Sequence, residues 1–234
     1  MKLSVIVPVL NEKNTLEKVI EKLLTVDIPM DKEIIIVDDN STDGSSQIMD
    51  SLYEKYKPVI KVIHKKQTEG KGNAIQSATP LITGDVVIIQ DADMEYNIEE
   101  YRVLVKPFIE QTAEVVFGSR FMGKIEKMAP QNMIANRILT FLANFLYGLK
   151  ITDEATAYKL IKADLFRKFK MQAKRFEFCP ELLAKAALGK HKITEIPITY
   201  RARTVKEGKK IKWHDLITAI NTLIRYRITG FKEN

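Results

Sequence analysis

The segment VVIIQDAD, residues 86–93, constrains this chain more than any other. Four apolar residues typical of a buried strand are followed by two carboxylates that lie two positions apart. Because side chains alternate between the two faces of a strand, Asp91 and Asp93 can point in the same direction at its carboxyl end. Two carboxylates held together repel each other unless a positive charge lies between them.

A divalent cation would satisfy this pair of carboxylates. Mg²⁺ and Mn²⁺ prefer oxygen ligands, and they usually bind the phosphates of a substrate at the same time. The alternative is a solvated acidic turn that caps a helix beginning near Ile98. A second acidic pair, Asp38 and Asp39, follows another apolar run and favours the metal site.

Strand and helix patterns alternate through the first half of the chain. The patterns predict strands at 3–9, 33–37, 59–63, 86–90 and 115–118, and helices at 14–24, 45–56, 70–78 and 98–111. This order predicts an α/β domain with a Rossmann-like, mainly parallel sheet flanked by helices on both faces. Asn11–Glu12, Asp38–Asp39 and Asp91–Asp93 then follow the carboxyl ends of strands, where open α/β sheets bind ligands.

Two common nucleotide-binding motifs are absent from the sequence. No Gly-x-Gly-x-x-Gly follows the first strand, which argues against a dinucleotide-dependent oxidoreductase, and no Gly-x-x-x-x-Gly-Lys-[Ser/Thr] indicates a P-loop ATPase. The segment Gly70–Asn73 resembles a phosphate loop only weakly, and a flexible turn before a helix is the simpler interpretation. The three histidines are scattered without metal-ligand spacing.

The charge of the chain suits an anionic partner. Its 37 Lys and Arg residues exceed its 30 Asp and Glu residues, for a formal net charge of +7. An anionic substrate or an anionic membrane surface fits this charge. We expect no binding of nucleic acid, because the basic residues lack the interleaved aromatic residues on which bases stack.

The amino-terminal and cysteine patterns indicate a cytoplasmic protein. Pro8 and Asn11 interrupt the first apolar run, which makes it too short for the apolar core of a signal peptide. Cys179 is the single cysteine, which excludes an intramolecular disulfide and fits a reducing compartment. Attachment to the inner face of the cell membrane is an open alternative.

The second half contains two segments that suit either a protein core or a membrane surface. Residues 133–149 contain one charge, Arg137, and form either a buried core helix or an interfacial helix at a lipid surface. Residues 213–228 predict an amphipathic helix with a basic end, which either docks on the sheet or contacts the membrane. A strand at 193–200 includes Pro197, so we expect it at an edge of the sheet.

The motifs VIVPVLNE, VDDNSTDGS, GKGNAI, QDADMEY and GSRF occur in this order along the chain. In sequence and spacing they resemble inverting family-2 glycosyltransferases with a GT-A fold. The later motifs DEATAYKLI, FEFCPELLAK and EIPITYRARTVKEGKKI resemble the polyprenyl-phosphate branch of that family, of the dolichol-phosphate mannose synthase type. The resemblance implies a GT-A domain at 1–212, in which 1–120 bind the nucleotide sugar and 121–212 the acceptor. An amphipathic helix and tail follow at 213–234.

The resemblance also implies roles for individual residues. Asp91 and Asp93 correspond to the metal-binding DXD motif, and Glu95 can supply a third ligand to Mg²⁺ or Mn²⁺. Asp93, Arg120 and Arg203 are implied to act in catalysis. The resemblance implies that the nucleotide sugar contacts Pro8, Leu10, Glu12, Asp39, Asp91, Ala92, Asp93, Arg120, Arg203, Lys209 and Lys210. The first four of these residues border the base and ribose, and the basic residues bind phosphates.

On the acceptor side the chain departs from the family pattern. Relatives often have an Arg and a Ser for the acceptor phosphate in the helix before the DEAT-type motif. This chain has Asn132 and Asn136 there, with Arg137 adjacent. The contacts that would hold an acceptor phosphate are therefore open at the level of sequence.

The implied reaction is metal-dependent transfer of a hexose, with inversion, from a nucleotide-diphosphate sugar to a polyprenyl (dolichyl or undecaprenyl) phosphate. A saccharide, lipid or protein hydroxyl is the alternative acceptor; it requires a carboxylate base, for which Glu177 and Glu181 are the candidates. A catalytically silent nucleotide-sugar-binding protein is a further alternative. The basic segment 201–212 is either a solvated loop or a lid that closes over the phosphates.

Overall fold

A computed structural model of the chain describes residues 1–203 and 213–231. In this part of the chain, runs rich in Val and Ile form the strands, because β-branched side chains pack well on a pleated surface. The strands are β1 (Lys2–Val9), β2 (Asp31–Asp38), β3 (Ile60–His64), β4 (Val86–Ile89), β5 (Val115–Lys127), β6 (Lys159–Lys162) and β7 (Ile193–Arg201).

Helices connect most of these strands. They are α1 (Leu16–Thr25), α2 (Ser45–Tyr56), α3 (Lys71–Ala78), α4 (Tyr101–Leu104), α5 (Lys106–Ile109), α6 (Pro130–Tyr147), α7 (Ala163–Phe169), α8 (Phe178–Leu188) and α9 (Trp213–Thr229). Short 3₁₀ turns cover Thr79–Leu81 and Ile98–Glu100. The helix predicted at 98–111 is therefore broken into a 3₁₀ turn and two short helices, the second of which has Pro107 in its first turn.

The strands form one sheet in the order β3-β2-β1-β4-β6-β5-β7. Neighbouring strands are parallel except at β6, which runs antiparallel to both β4 and β5. The predicted mainly parallel sheet is confirmed, and β7 with Pro197 lies at an edge as expected. The sequence pattern did not reveal β6, because four residues are too few to show a period.

Helices cover both faces of the sheet. Along β1, Val5 and Val7 belong to one apolar cluster and Ile6 to the other, as the alternation of a strand requires. The first cluster includes α1 and α2, and the second includes α3, α6, α8 and α9. Both clusters are buried, so the central strands, whose carboxyl ends carry the polar motifs, are packed on both faces.

Strand β5 extends nine residues beyond the predicted end at Gly118, to Lys127. Its pairing with β7 shifts in register between Ser119 and Lys124. At Gly123, a Cβ atom would lie 2.1 Å from the carbonyl oxygen of Ile198, so the close approach of these two strands requires glycine. After this irregularity β5 continues to Lys127, and α6 begins three residues later at Pro130.

Helix α6 is neither wholly buried nor wholly exposed. It buries Leu139 and Ala143, whereas Phe141 and Phe145 are 72% and 76% exposed. Helix α9 packs against α6 and α8, and the hydroxyl of Tyr147 donates to the carbonyl of Leu223 at 2.6 Å. Within residues 1–203 and 213–231, no helix combines the length and the apolar character needed to cross a bilayer.

Candidate active site

A cavity of about 1130 Å³ opens at the carboxyl ends of β1, β2 and β4 and reaches α6, α8 and α9. It brings together all of the predicted site residues that the structure describes. These are Pro8, Leu10, Glu12, Asp39, Asp91, Ala92, Asp93, Glu95, Arg120 and Arg203. Lys209 and Lys210 lie outside the described residues, as does most of the basic segment 201–212, so their proposed contacts with phosphate stay predictions.

The two DXD carboxylates lie side by side and each is paired with a cation. Asp91 Oδ1 lies 2.5 Å from Lys71 Nζ, and Asp93 Oδ2 lies 2.9 Å from Arg203 Nη2. Burial raises the pKa of Asp93 to about 7, with the charges of Asp91 and Glu95 acting in the same direction and Arg203 opposing them. The repulsion expected from the sequence is therefore present, and two protein cations offset part of it.

The backbone of the DXD motif is fixed by its neighbours. The hydroxyl of Thr15 donates to the carbonyl of Ala92 at 2.6 Å. Met94 follows with φ of 60°, a left-handed conformation that costs energy in a residue other than glycine. The chain turns sharply there, and this turn directs Glu95 back toward the motif.

Glu95 holds other protein groups in the structure. Its Oε2 accepts a hydrogen bond from Tyr200 Oη at 2.6 Å, and its Oε1 accepts one from the backbone N–H of Arg203 at 2.7 Å. These bonds tie the end of β7 to the DXD turn and position the arginine that pairs with Asp93. The role of Glu95 as a third metal ligand stays a prediction.

The donor set at the DXD motif fits a divalent cation that also binds phosphate. Among the described residues, no three Asp, Glu, His or Cys side chains are arranged to hold a metal alone. Mg²⁺ and Mn²⁺ often take only one or two protein carboxylates and complete their shell with phosphate oxygens and water. Asp91 and Asp93, which lie at one strand end and are partly neutralised by cations, match that requirement.

Asp39 organises the loop before α3. Its two carboxylate oxygens accept the backbone N–H groups of Glu69 and Gly70 at 3.0 and 2.7 Å, and Lys65 Nζ lies 3.1 Å away. Glu12 nearby pairs with Arg203 Nη1 at 2.9 Å. The predicted contacts of these carboxylates with base or ribose remain open, and the structure adds a positioning role for each.

Arg120 is buried and forms a bidentate pair with Asp153. Nε and Nη2 donate to the two carboxylate oxygens at 2.7 Å each. The guanidinium also lies 5.0 Å from the ring centre of Tyr200. Because Asp153 neutralises Arg120, the contribution of this arginine to phosphate binding depends on its remaining N–H groups.

The segment Gly70–Asn73 is not the flexible turn that its sequence suggested. A Cβ atom at Gly72 would lie 2.2 Å from the carbonyl oxygen of Ala173, and one at Gly70 would lie 2.6 Å from that of Lys174. The two glycines let this loop pack directly on the chain before α8. The packing fixes Lys71 beside the DXD motif, a position that the sequence analysis did not assign to this lysine.

The two candidate bases have structural roles. Glu181 is fully buried and accepts hydrogen bonds from the backbone N–H of Ala173 and the hydroxyl of Tyr226, both at 2.6 Å. Glu177 accepts the backbone N–H of Lys174 at 2.9 Å. Neither residue lines the cavity. Both carboxylates accept hydrogen bonds within the fold in this structure, and the assignment of Glu177 or Glu181 as a general base stays a prediction.

The part of the cavity that α6 lines contains the asparagines that depart from the family pattern. Asn132 and Asn136 both line the cavity. Arg137 stacks over the ring of Phe121, with its guanidinium carbon 4.0 Å from the ring centre. Arg175, Cys179 and Glu154, which the sequence did not single out as site residues, also line the cavity.

With this geometry, the sequence matches the model of glycosyl transferase family 2 over residues 4–170. The match covers more than half of the chain, which therefore belongs to this family. The fold superposes with a TM-score of 0.72 on glucosyl-3-phosphoglycerate synthase from Mycobacterium tuberculosis, solved in complex with Mn²⁺, UDP and glucosyl-3-phosphoglycerate. The two are 17% identical, over 97% of this chain and 79% of the other, and the similarity confirms the predicted GT-A fold.

Two curated relatives are more similar in sequence. A dolichol-phosphate mannosyltransferase from Pyrococcus furiosus is 26% identical over 214 residues, which are 89% of this chain and 59% of that protein. A dolichyl-phosphate beta-glucosyltransferase from Trichomonas vaginalis is 28% identical over 242 residues, with coverage of 97% and 73%. The chain thus spans about three fifths of the length of the first relative.

Proposed function

We propose that this protein transfers a hexose from a nucleotide-diphosphate sugar to a polyprenyl phosphate, with inversion and with a divalent metal. The observation that carries the proposal is the pairing of both DXD carboxylates with cations, Lys71 and Arg203, at the mouth of one large cavity. The names of the two curated relatives, both of which act on a dolichyl phosphate, support this acceptor.

On the donor side, the chain supplies both ligands and counter-charges for a diphosphate. Asp91 and Asp93 would hold Mg²⁺ or Mn²⁺, which neutralises charge on the departing nucleoside diphosphate. Lys71 and Arg203 are then free to bind phosphate oxygens, because their carboxylate partners take the metal instead. Arg175, also in the cavity wall, adds a further cation.

On the acceptor side, a phosphate needs positive charge rather than a base. A polyprenyl phosphate is already anionic near neutral pH, so no side chain has to remove its proton. Glu177 and Glu181 hold backbone N–H groups, and Asp153 is paired with Arg120, so none of these carboxylates is free to act as a base. Glu154, whose carboxyl oxygens have no hydrogen-bond partner, is the cavity residue that a hydroxyl acceptor would need as its base, and a phosphate acceptor needs no such group.

We further propose that the apolar surface of α6 and α9 rests on a lipid bilayer at the inner face of the cell membrane. Exposed apolar side chains cover both helices: Ile134, Ile138, Phe141, Phe145, Ile217, Ile224 and Ile228. Exposed Arg225 and Arg227 lie on α9 and suit anionic headgroups. Such a position would bring the cavity to the phosphate of a membrane-embedded polyprenyl chain.

A transfer assay tests this function. Purified protein is incubated with radiolabelled nucleotide-diphosphate sugars, polyprenyl phosphate in detergent, and Mn²⁺ or Mg²⁺. We expect label in the lipid phase with one of the sugar nucleotides, and none when EDTA replaces the metal. Binding of nucleoside diphosphates without any transfer would instead favour a catalytically silent binding protein.

A further inference from the structure

Glu154 is a buried carboxyl group whose two oxygens have no hydrogen-bond partner. The residue has 0% of its surface exposed. In the described part of the chain, Oε1 and Oε2 of Glu154 are the buried side-chain oxygens that lack a partner. An unpaired buried polar group costs about 1–3 kcal/mol, and more when it is charged. A ligand that supplies the missing partner would recover that free energy.

The other buried carboxylates of this fold are well paired. Glu33 accepts hydrogen bonds from Ser4 and Thr83, and Asp153 holds Arg120 with both of its oxygens. The missing hydrogen-bond partner is therefore a feature of Glu154 and is not shared by these other buried carboxylates.

The surrounding groups keep Glu154 unpaired. Its backbone N–H donates to Thr140 Oγ1 at 3.0 Å, which fixes the main chain. Lys159 is the neighbouring cation, but its ammonium group donates to the carbonyl oxygens of Glu154 and Thr156 at 2.5 and 2.6 Å. The ammonium group of Lys159 therefore donates to backbone carbonyl oxygens and does not form an ion pair with the carboxyl group of Glu154.

Glu154 lines the cavity, as do Ala155 and the apolar residue Leu139. Its carboxyl oxygens are covered by neighbouring atoms, so a ligand in the cavity contacts them after a small movement of a side chain. The cations paired with the DXD motif, Lys71 and Arg203, lie at the strand ends instead. A charged carboxyl group that forms no ion pair repels an anionic phosphate, whereas it accepts a hydrogen bond from a neutral hydroxyl group. The position therefore suits an uncharged part of a ligand.

Burial raises the pKa of Glu154 to about 7; Lys159 and Arg120 oppose the shift, and Asp153 adds to it. The carboxyl group can therefore be neutral or charged near neutral pH. In either form its oxygens accept a hydrogen bond from a hydroxyl, and the neutral form can also donate one.

We propose that Glu154 binds a hydroxyl group of the hexose in the nucleotide-diphosphate sugar and thereby helps to select the donor. This inference rests on the proposed function. A hexose presents several neutral hydroxyl groups, and a site built to bind one rejects a ligand that lacks it, because the buried protein group is then left unpaired.

The test uses the full-length chain with Glu154→Gln or Glu154→Met. Calorimetric titrations in Mn²⁺ compare UDP and GDP with UDP-glucose, UDP-N-acetylglucosamine and GDP-mannose. For the sugar nucleotide that the wild type prefers, we expect Glu154→Met to weaken binding about tenfold, roughly 1.4 kcal/mol. Binding of the matching nucleoside diphosphate should not change.

The same variants should be more stable without ligand. Because the folded pKa of Glu154 is raised, the wild type loses stability as the pH rises from the ordinary glutamate pKa toward 7. Glu154→Gln and Glu154→Met do not titrate there. Their gain in Tm over the wild type should therefore be larger at pH 8 than at pH 5.

Glu195→Gln is the matched control. Glu195 accepts the backbone N–H groups of Thr152 and Asp153 at 2.7 and 3.0 Å, so it is a paired carboxylate beside the same segment, and it does not line the cavity. This change should lower Tm and leave the ratio of sugar-nucleotide to nucleotide affinity as it is in the wild type.

Four outcomes overturn the assignment or its basis. A wild type that binds no nucleotide in Mn²⁺ contradicts the proposed function itself. With nucleotide binding intact, an unchanged preference for the sugar nucleotide in both Glu154 variants refutes the contact with the hexose. A lower Tm in both variants shows that the carboxyl group has a partner within the fold. Loss of transfer with unchanged donor binding would place Glu154 at the acceptor.

Discussion

The cavity has paired carboxylates on one side and an unpaired carboxyl group on the other. On the side formed by β1, β2 and β4, Asp39 holds two backbone N–H groups, and Asp91 and Asp93 are each paired with a cation. On the side formed by α6, α8 and α9, Glu154 has no partner, and apolar side chains of α6 are exposed.

Under the proposed function, this difference matches the ligands that the two sides would bind. A paired, rigid set of charges is preorganised for a ligand of fixed charge and geometry, such as a metal with a diphosphate. A side with an unpaired polar group and exposed apolar surface lacks contacts that a ligand or a bilayer can supply.

The largest expected effect is on the paired side. Asp93→Asn removes a carboxylate that would hold the metal, so we expect transfer to fall by about 10³-fold, which corresponds to ~4 kcal/mol. The measurement is kcat/KM with saturating Mn²⁺. Asp85→Asn is the control, because Asp85 lies before the opposite end of the same strand and accepts the backbone N–H of Lys2. Equal activity of Asp93→Asn and wild type would contradict the metal site.

Glu33 is a buried glutamate whose carboxylate is fully paired, in contrast to Glu154, and its pairing should stabilise the folded state. Burial raises the pKa of Glu33, but hydrogen bonds from Ser4, Thr83 and Lys61 outweigh it and hold the pKa well below its usual range. We expect Glu33→Gln to cost about 3 kcal/mol at pH 7, because it breaks a buried charged network.

The cost of Glu33→Gln should shrink as the pH falls below about 4.3, the ordinary glutamate pKa, because the wild type then loses the same stabilisation. Urea unfolding of both proteins at pH 7 and pH 3.5 measures this change. A constant difference between the two pH values would show that Glu33 does not titrate as the structure indicates.

Arg203 joins the paired side to the end of β7. It contacts Glu12 and Asp93, and its backbone is held by Glu95. Arg203→Ala should cost about 2 kcal/mol in kcat/KM if the guanidinium stabilises phosphate in the transition state. Arg201→Ala, at an exposed position two residues earlier, should have no such effect. Similar losses in both variants would point to general charge rather than to contact.

The smallest predicted effect concerns the open side. Replacing Phe141 and Phe145 together by Ser should weaken binding to anionic vesicles about tenfold, roughly 1.4 kcal/mol, because the exposed parts of the two rings would no longer bury apolar surface in the bilayer. Co-sedimentation at low salt measures the binding. Tyr53→Ser, which changes an exposed aromatic residue on α2, is the control. Unchanged binding of the double variant would exclude this surface as the membrane contact.

The same comparison explains what could be predicted from the sequence. The paired side follows from local patterns: an apolar strand ends, and polar residues such as Asp91 and Asp39 come next. The sheet and its alternation of β and α elements were predicted in that way. The resemblance to the family, and not the local pattern, supplied Pro8, Leu10, Ala92, Arg120 and Arg203, and the structure places these residues in the same cavity. Strand β6 was missed because its four residues carry no period.

The roles of Glu181 and Glu154 were not accessible from sequence. Both are glutamates within recognisable motifs. Glu181 accepts hydrogen bonds from the backbone of Ala173 and from the hydroxyl of Tyr226, whereas the carboxyl group of Glu154 has no partner. The packing of α6, α8 and α9 determines which of the two glutamates has hydrogen-bond partners, and this packing joins segments that are far apart in the chain. Lys71 was visible in its motif, but the packing that fixes it beside Asp91 was not.

The central claim is that the acceptor is a phosphate, activated by charge and not by a protein base. The most direct test offers equal amounts of a polyprenyl phosphate and the corresponding polyprenol to the protein in one reaction, with the preferred sugar nucleotide and Mn²⁺. We predict that all of the lipid-linked sugar is attached through phosphate and that EDTA abolishes its formation. Comparable transfer to the polyprenol, or transfer that persists in EDTA, would contradict the account.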